Sequence, residues 1–205
     1  MKRLIEDLNE NKEWRVRELV QLKRILSYEN VHDQQKYELL SKYAVPTACA
    51  IWEGFFKEAI GYYFTFFNRN KGIERDLLMI TNIIEHNNVV NKTYQDFETK
   101  KKLVEDIHEV FNNPQFKDYK PEIGLKKLKD TNKFLKRIKL NPLSDEYHVN
   151  LNTMIDLRHA IFHGEKSDRI LSVDDVSKYL NLVITLMNEL EDNIINKSME
   201  FSSTN

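Results

Sequence analysis

Between Ser172 and Ile194 the apolar residues Val176, Leu180, Val183, Leu186, Met187, Leu190 and Ile194 recur at three- and four-residue spacing. An α-helix turns that period into one buried face, and a strand cannot use it. Ser172, with Asp175 three residues on, reads as a capping box at the start. The same period recurs upstream. Leu8, Trp14, Leu19, Leu22 and Leu26 mark a helix over about 6–27, and a second stretch runs from about Asp33 to Phe67. Pro46 lies inside that stretch and predicts a kink or break, because proline removes a helical hydrogen bond. Residues 73–112 read as one or two more helices, RDLLMITNIIEH and QDFETKKKLVEDIHEVF, with a polar turn between them.

A further helix starts near Ser144 or Asp145 and carries Tyr147, Leu151, Met154, Ile155 and Leu157 toward Gly164, a natural stop. Only five glycines and four prolines punctuate 205 residues, too few for many short strands. No internal repeat is present, the tail 197–205 is polar and reads as frayed, and the length suits one domain over 1–205. The expectation is an all-α, up-and-down helical bundle.

The least regular part is 113–142, which holds Pro114, Pro121, Gly124 and Pro142. It is read as a basic insertion around a short helix. From Lys117 to Lys139 there are nine basic and three acidic residues, against a net charge of −1 for the whole chain. The molecule therefore exerts no general pull on polyanions, and any nucleic-acid surface has to come from this local concentration. Lys126, Lys127, Lys129, Lys133, Lys136 and Arg137 are the candidate RNA-backbone contacts, with Phe134 available for stacking. A plain solvated face is the competing reading. The single cysteine, Cys49, sits among apolar neighbours and reads as buried packing, which fits a reducing compartment. No apolar run approaches the ~20 residues that span a bilayer, and the start MKRLIEDLNENKEW is charged throughout. The cytoplasm is the default placement.

Chemistry concentrates in LRHAIFHGE, residues 157–165. His159 and His163 are four apart and share a helix face, as paired zinc ligands do. The zinc-protease pattern, however, wants a glutamate directly after the first histidine, and Ala160 stands there. Only His108 and His148, by tertiary accident, would add a ligand, so neither a metal nor a cofactor is expected. Arg158 and His163 are five apart, about 140° around a helix and ~7.5 Å along it. A long arginine stem bridges that gap, so both side chains can meet one phosphate. A fixed planar cation and a proton-exchanging imidazole are what metal-free RNA cleavage requires. One histidine cannot be base and acid at the same instant, and a symmetric dimer would supply the second group. The competing reading is that Arg158 and His163 cap carbonyls at a helix C-terminus.

The string R-H-A-I-F-H resembles the R-polar-x-x-x-H signature of the HEPN superfamily, here Arg158, His159 and His163, followed by Gly164 and Glu165. A second block, AIWEGFFKEAIGYY at 50–63, is similar to the W-E-G-F segment of the MAE-type HEPN-like nuclease family. The two blocks stand in the expected order, and the resemblance spans roughly 45–190.

It implies an all-α HEPN-like bundle that dimerises with its R-x4-H helices facing across a cleft. It also implies metal-independent endoribonuclease activity in a toxin–antitoxin or antiviral defence setting, with an antitoxin or defence-system protein as partner. By the same resemblance Arg158 would bind the scissile phosphate and His163 would be the acid-base residue. His159, where the superfamily often has asparagine, would orient substrate. Glu53 is the candidate accessory residue, although Lys57, four residues on, would equally make it one half of a surface pair. Tyr62, Tyr63, Phe64, Phe66 and Phe67 read as core or dimer interface. The alternative to an enzyme is a catalytically silent helical module that binds RNA, a nucleotide or a protein partner; a purely structural dimerisation domain is a third reading.

Overall fold

The computed structural model describes residues 1–68, 76–78, 97–112, 127–163 and 171–204. Its helices are α1 (Lys2–His32), α2 (Gln34–Asn68), α3 (Phe97–Asn112), α4 (Leu128–Arg137), α5 (His148–Phe162) and α6 (Val173–Thr204), with a 3-10 turn at Asp145–Tyr147. No strand occurs among the described residues, as the sequence spacing predicts.

One residue turns the chain from α1 into α2. Asp33 is extended, its N–H closes α1 on the Glu29 carbonyl at 2.8 Å, and its carboxylate accepts the Lys36 N–H at 3.0 Å. The same residue therefore caps the next helix with its side chain as its backbone N–H ends the last. The helices run back antiparallel, so that Arg15 of α1 meets Gly54 and Glu58 of α2. Packed against both is α6, parallel to α2. Tyr37 donates to the Leu171 carbonyl at 2.6 Å at one end, and the Phe67 and Phe201 rings meet at 4.6 Å at the other. The predicted box at its start is present, with the Ser172 hydroxyl accepting the Asp175 N–H at 3.0 Å.

The core is the aromatic half of α2. Trp52, Phe55, Phe56, Tyr63, Phe64 and Phe67 are buried, together with Leu8, Leu19 and Leu26 of α1 and Leu180, Val183, Leu186, Met187 and Leu190 of α6. Burial of this kind contributes about 25 cal/mol for each Å² of apolar surface removed from water. α5 lies against α2 and α6, and α4 lies beside α5.

Four sequence expectations need correcting. Of the kink or break expected at Pro46, the break does not occur, since helical residues run through from Gln34 to Asn68; beside it the Thr47 hydroxyl donates to the Tyr43 carbonyl at 2.8 Å. Trp14 is 45% exposed although it belongs to the α1 apolar pattern, and Arg15 beside it is only 3% exposed. The tail is not frayed, since α6 continues to Thr204 with Ser198 and Phe201 buried.

The fourth concerns Phe134. It is 4% exposed, with its ring 6.1 Å from that of Phe56, and so cannot stack on a base. The short helix expected within 113–142 is α4, whose inner residues Leu128, Phe134 and Leu135 are core. It ends with Lys139 at φ 66°, where the Leu140 N–H bonds the Leu135 carbonyl at 2.9 Å. That is the left-handed helix stop usually built on glycine. The Asn132 side chain then holds Leu143 through both backbone groups, at 2.8 and 2.9 Å.

Candidate active site

α5 buries Leu151, Met154 and Ile155, one face at helical spacing. The buried Cys49 thiol of α2 lies 3.7 Å from the Met154 carbonyl and ties the two helices at mid-length. Burial pushes that thiol up to about 12 despite the lowering effect of Arg158; Glu53 adds to the rise. Cys49 is therefore packing rather than a nucleophile.

One turn beyond Met154, Arg158 sits at the edge of the buried face with its side chain 27% exposed. Its guanidinium lies 3.9 Å from the Glu53 carboxylate of α2 and 5.3 Å over the Phe162 ring. Glu53 also accepts from Lys57 at 2.9 Å, so one half-buried carboxylate is shared by two cations. Both readings of Glu53 thus hold in space, as partner of Lys57 and of Arg158.

The W-E-G-F block separates into physical parts. Trp52, Phe55 and Phe56 are core, Glu53 turns toward α5, and Gly54 leaves room for Arg15 of α1. A Cβ on Gly54 would lie 3.1 Å from the Arg15 Nη2.

His159 and His163 stand at the same helix end, both exposed. Their rings are 6.5 Å apart and 17° from parallel. His163 is the C-cap, and its N–H bonds the His159 carbonyl at 3.0 Å. The structure thus brings together two pairs, Arg158 with Glu53 and His159 with His163, at one terminus. Gly164 and Glu165 lie outside the described residues.

The basic cluster lies close by. The exposed Lys127 pairs with Asp156 of α5 at 3.1 Å, and the Asn152 side chain accepts the Leu128 N–H at 3.1 Å. Lys129, Lys133, Lys136 and Arg137 lie on the exposed side of α4, while Lys126 lies outside the described residues. The sequence reading assigned no part to Arg15, Asp156 or Phe162. Phe162 was within reach, because it stands four residues after Arg158 and so on the same face.

Among the described residues, no group of three or more His, Cys, Asp or Glu gathers as a metal site, and no helix is long and apolar enough to cross a membrane. The described residues form an all-α bundle, the architecture of HEPN domains. The chain belongs to the RiboL-PSP-HEPN family, whose model matches residues 10–196. The superfamily is the one that the two sequence blocks suggest. HEPN domains are usually ribonucleases, often bind RNA and often dimerise. No curated protein and no solved structure matches the chain.

Proposed function

We propose that the protein is a metal-independent endoribonuclease acting from the exposed end of α5. The observation that carries this reading is the placement of Arg158 against Glu53 at 3.9 Å, beside the exposed imidazoles of His159 and His163. Glu53 positions the guanidinium, which binds the two free oxygens of the scissile phosphate. His163 takes the proton of the 2′-hydroxyl, whose oxygen attacks phosphorus. The bond to the 5′-oxygen breaks, that oxygen receives a proton, and a 2′,3′-cyclic phosphate remains. The proton donor is the equivalent histidine of a second copy, in a homodimer that sets two such helix ends across one cleft.

His159 contacts and orients the RNA. The exposed cations Lys127, Lys129, Lys133, Lys136 and Arg137, with Lys126 before them, track its backbone. The biological setting is a cytoplasmic toxin or antiviral defence effector under the control of an antitoxin or defence-system partner.

The test is incubation of the full chain with single-stranded and structured RNA in EDTA, beside Arg158→Ala and His163→Ala. Cleavage that persists in chelator and falls by about 10²-fold or more in both variants is expected from the loss of acid-base and charge stabilisation. RNA that stays intact while still bound overturns the enzyme reading and leaves the silent RNA-binding module in its place.

A further inference from the structure

We propose that His159 and His163 form a two-point binding site for a divalent transition-metal ion, zinc being the chosen probe, and that its occupancy shuts off RNA cleavage. The cleavage clause rests on the ribonuclease reading above; the binding clause does not.

The first argument is geometric. The two residues are four apart, and the backbone bond from the His163 N–H to the His159 carbonyl, 3.0 Å long, keeps the last turn of α5 helical. Their separation is therefore set by the helix and not by loose loops. The rings stand nearly parallel, 17° apart, with centroids at 6.5 Å. Two imidazole nitrogens each bonded at ~2.0 Å to one tetrahedral ion lie about 3.3 Å apart. Both rings are exposed, so side-chain rotation rather than backbone movement is what has to bring their nitrogens to that spacing. A histidine pair four apart on one helix is the arrangement that holds zinc in H-E-x-x-H sites.

The second argument is chemical. Imidazole nitrogen favours zinc, nickel and copper over the oxygen-seeking magnesium and calcium. Both side chains are exposed, so the ion needs no entry path and little protein has to be desolvated. Arg158, the adjacent fixed cation, is turned toward the Glu53 carboxylate at 3.9 Å, which offsets the charge that would repel the ion. No group of three or more His, Cys, Asp or Glu gathers there among the described residues. Water completes the coordination, and the bound ion is exchangeable rather than structural. Once its lone pair is bound to metal, the His163 imidazole cannot accept the 2′-hydroxyl proton, so occupancy and proton transfer exclude one another.

The experiment is isothermal titration of the full chain with zinc chloride in chelator-free buffer, beside His159→Ala and His163→Ala, with RNA cleavage followed in the same buffer. One ion per chain is expected, with affinity falling tenfold or more in each variant, and with cleavage by the unaltered chain lost over the same zinc range and restored by EDTA. Binding weaker than about 1 mM, or a strength unchanged in both variants, overturns the site. Tight binding through both histidines with cleavage unaffected overturns the inhibitory role. A chain that binds zinc through both histidines but never cleaves RNA keeps the metal site and defeats the ribonuclease reading alone.

Discussion

Replacing Gly54 by alanine sets two effects of known sign against each other at the hinge between the site and the α1 packing. Alanine is favoured over glycine in a helix interior by about 1 kcal/mol. The new methyl, however, would lie 3.1 Å from the Arg15 Nη2, with Nε and Cζ at 3.8 and 3.9 Å. The guanidinium must then recede by a few tenths of an ångström. It has little freedom to do so, being 3% exposed, bonded to the Asn11 carbonyl at 2.8 Å and to its side chain, and 3.4 Å from Glu58.

Overpacking of this kind costs about 1–3 kcal/mol, so Gly54→Ala alone should range from neutral to about 2 kcal/mol destabilising. Arg15→Ala should itself cost about 2 kcal/mol by leaving the buried Asn11 side chain short of a partner. In that background the clash is gone, and Gly54→Ala should become stabilising by about 1 kcal/mol. Urea unfolding of the four proteins at 25 °C measures the cycle. An equal effect of Gly54→Ala in both backgrounds refutes the close approach and, with it, the account of why glycine follows Glu53.

Three more outcomes follow from burial. Phe134→Ala should lower stability by about 3–5 kcal/mol through a cavity beside Phe56, measured by urea unfolding; a change under 1 kcal/mol would return Phe134 to the surface. The alkaline limb of stability should fall early. Cys49 is raised by burial to about 12, and Tyr37, Tyr62 and Tyr147 are raised too, burial first in each. Above about pH 9 the unfolded chain releases protons that the native chain keeps, so stability held in full below that pH is lost as pH rises. Below it, Cys49 should resist a thiol reagent until the chain unfolds; rapid labelling of native protein at pH 8, or a flat pH 8–11 stability profile, contradicts this.

Each helix is written in local spacing. The α6 periodicity and the Ser172 box depend on residues within one or two turns and were legible, as was a helical start near Ser144, although there a 3-10 turn at Asp145–Tyr147 precedes α5 and the Ser144 hydroxyl accepts the Glu146 N–H at 3.4 Å. So were the identity of the R-x4-H terminus and its order after W-E-G-F, which led to the superfamily. What spacing could not say is which side of an ambiguous helix meets which neighbour. Trp14 and Arg15 are adjacent on α1, and apolarity favours burying the tryptophan. The missing side chain of Gly54, far along the chain, opens space for the guanidinium and not for the larger indole, which instead lies 4.1 Å from it at the surface.

The same division runs through the site. The sequence alone put an arginine and two histidines at one helix end, because they are neighbours in the chain. It could not say whether Glu53 faced Lys57 or the core, and the answer is that it meets both Lys57 and Arg158, because α5 packs on α2 with Cys49 against Met154. Phe134 likewise reads as available until Phe56 is brought over it. Helix formation is governed by contacts three and four residues apart, which a sequence displays directly. Burial and ion pairing depend on which helices meet, and that is settled only when every apolar face competes for the same core.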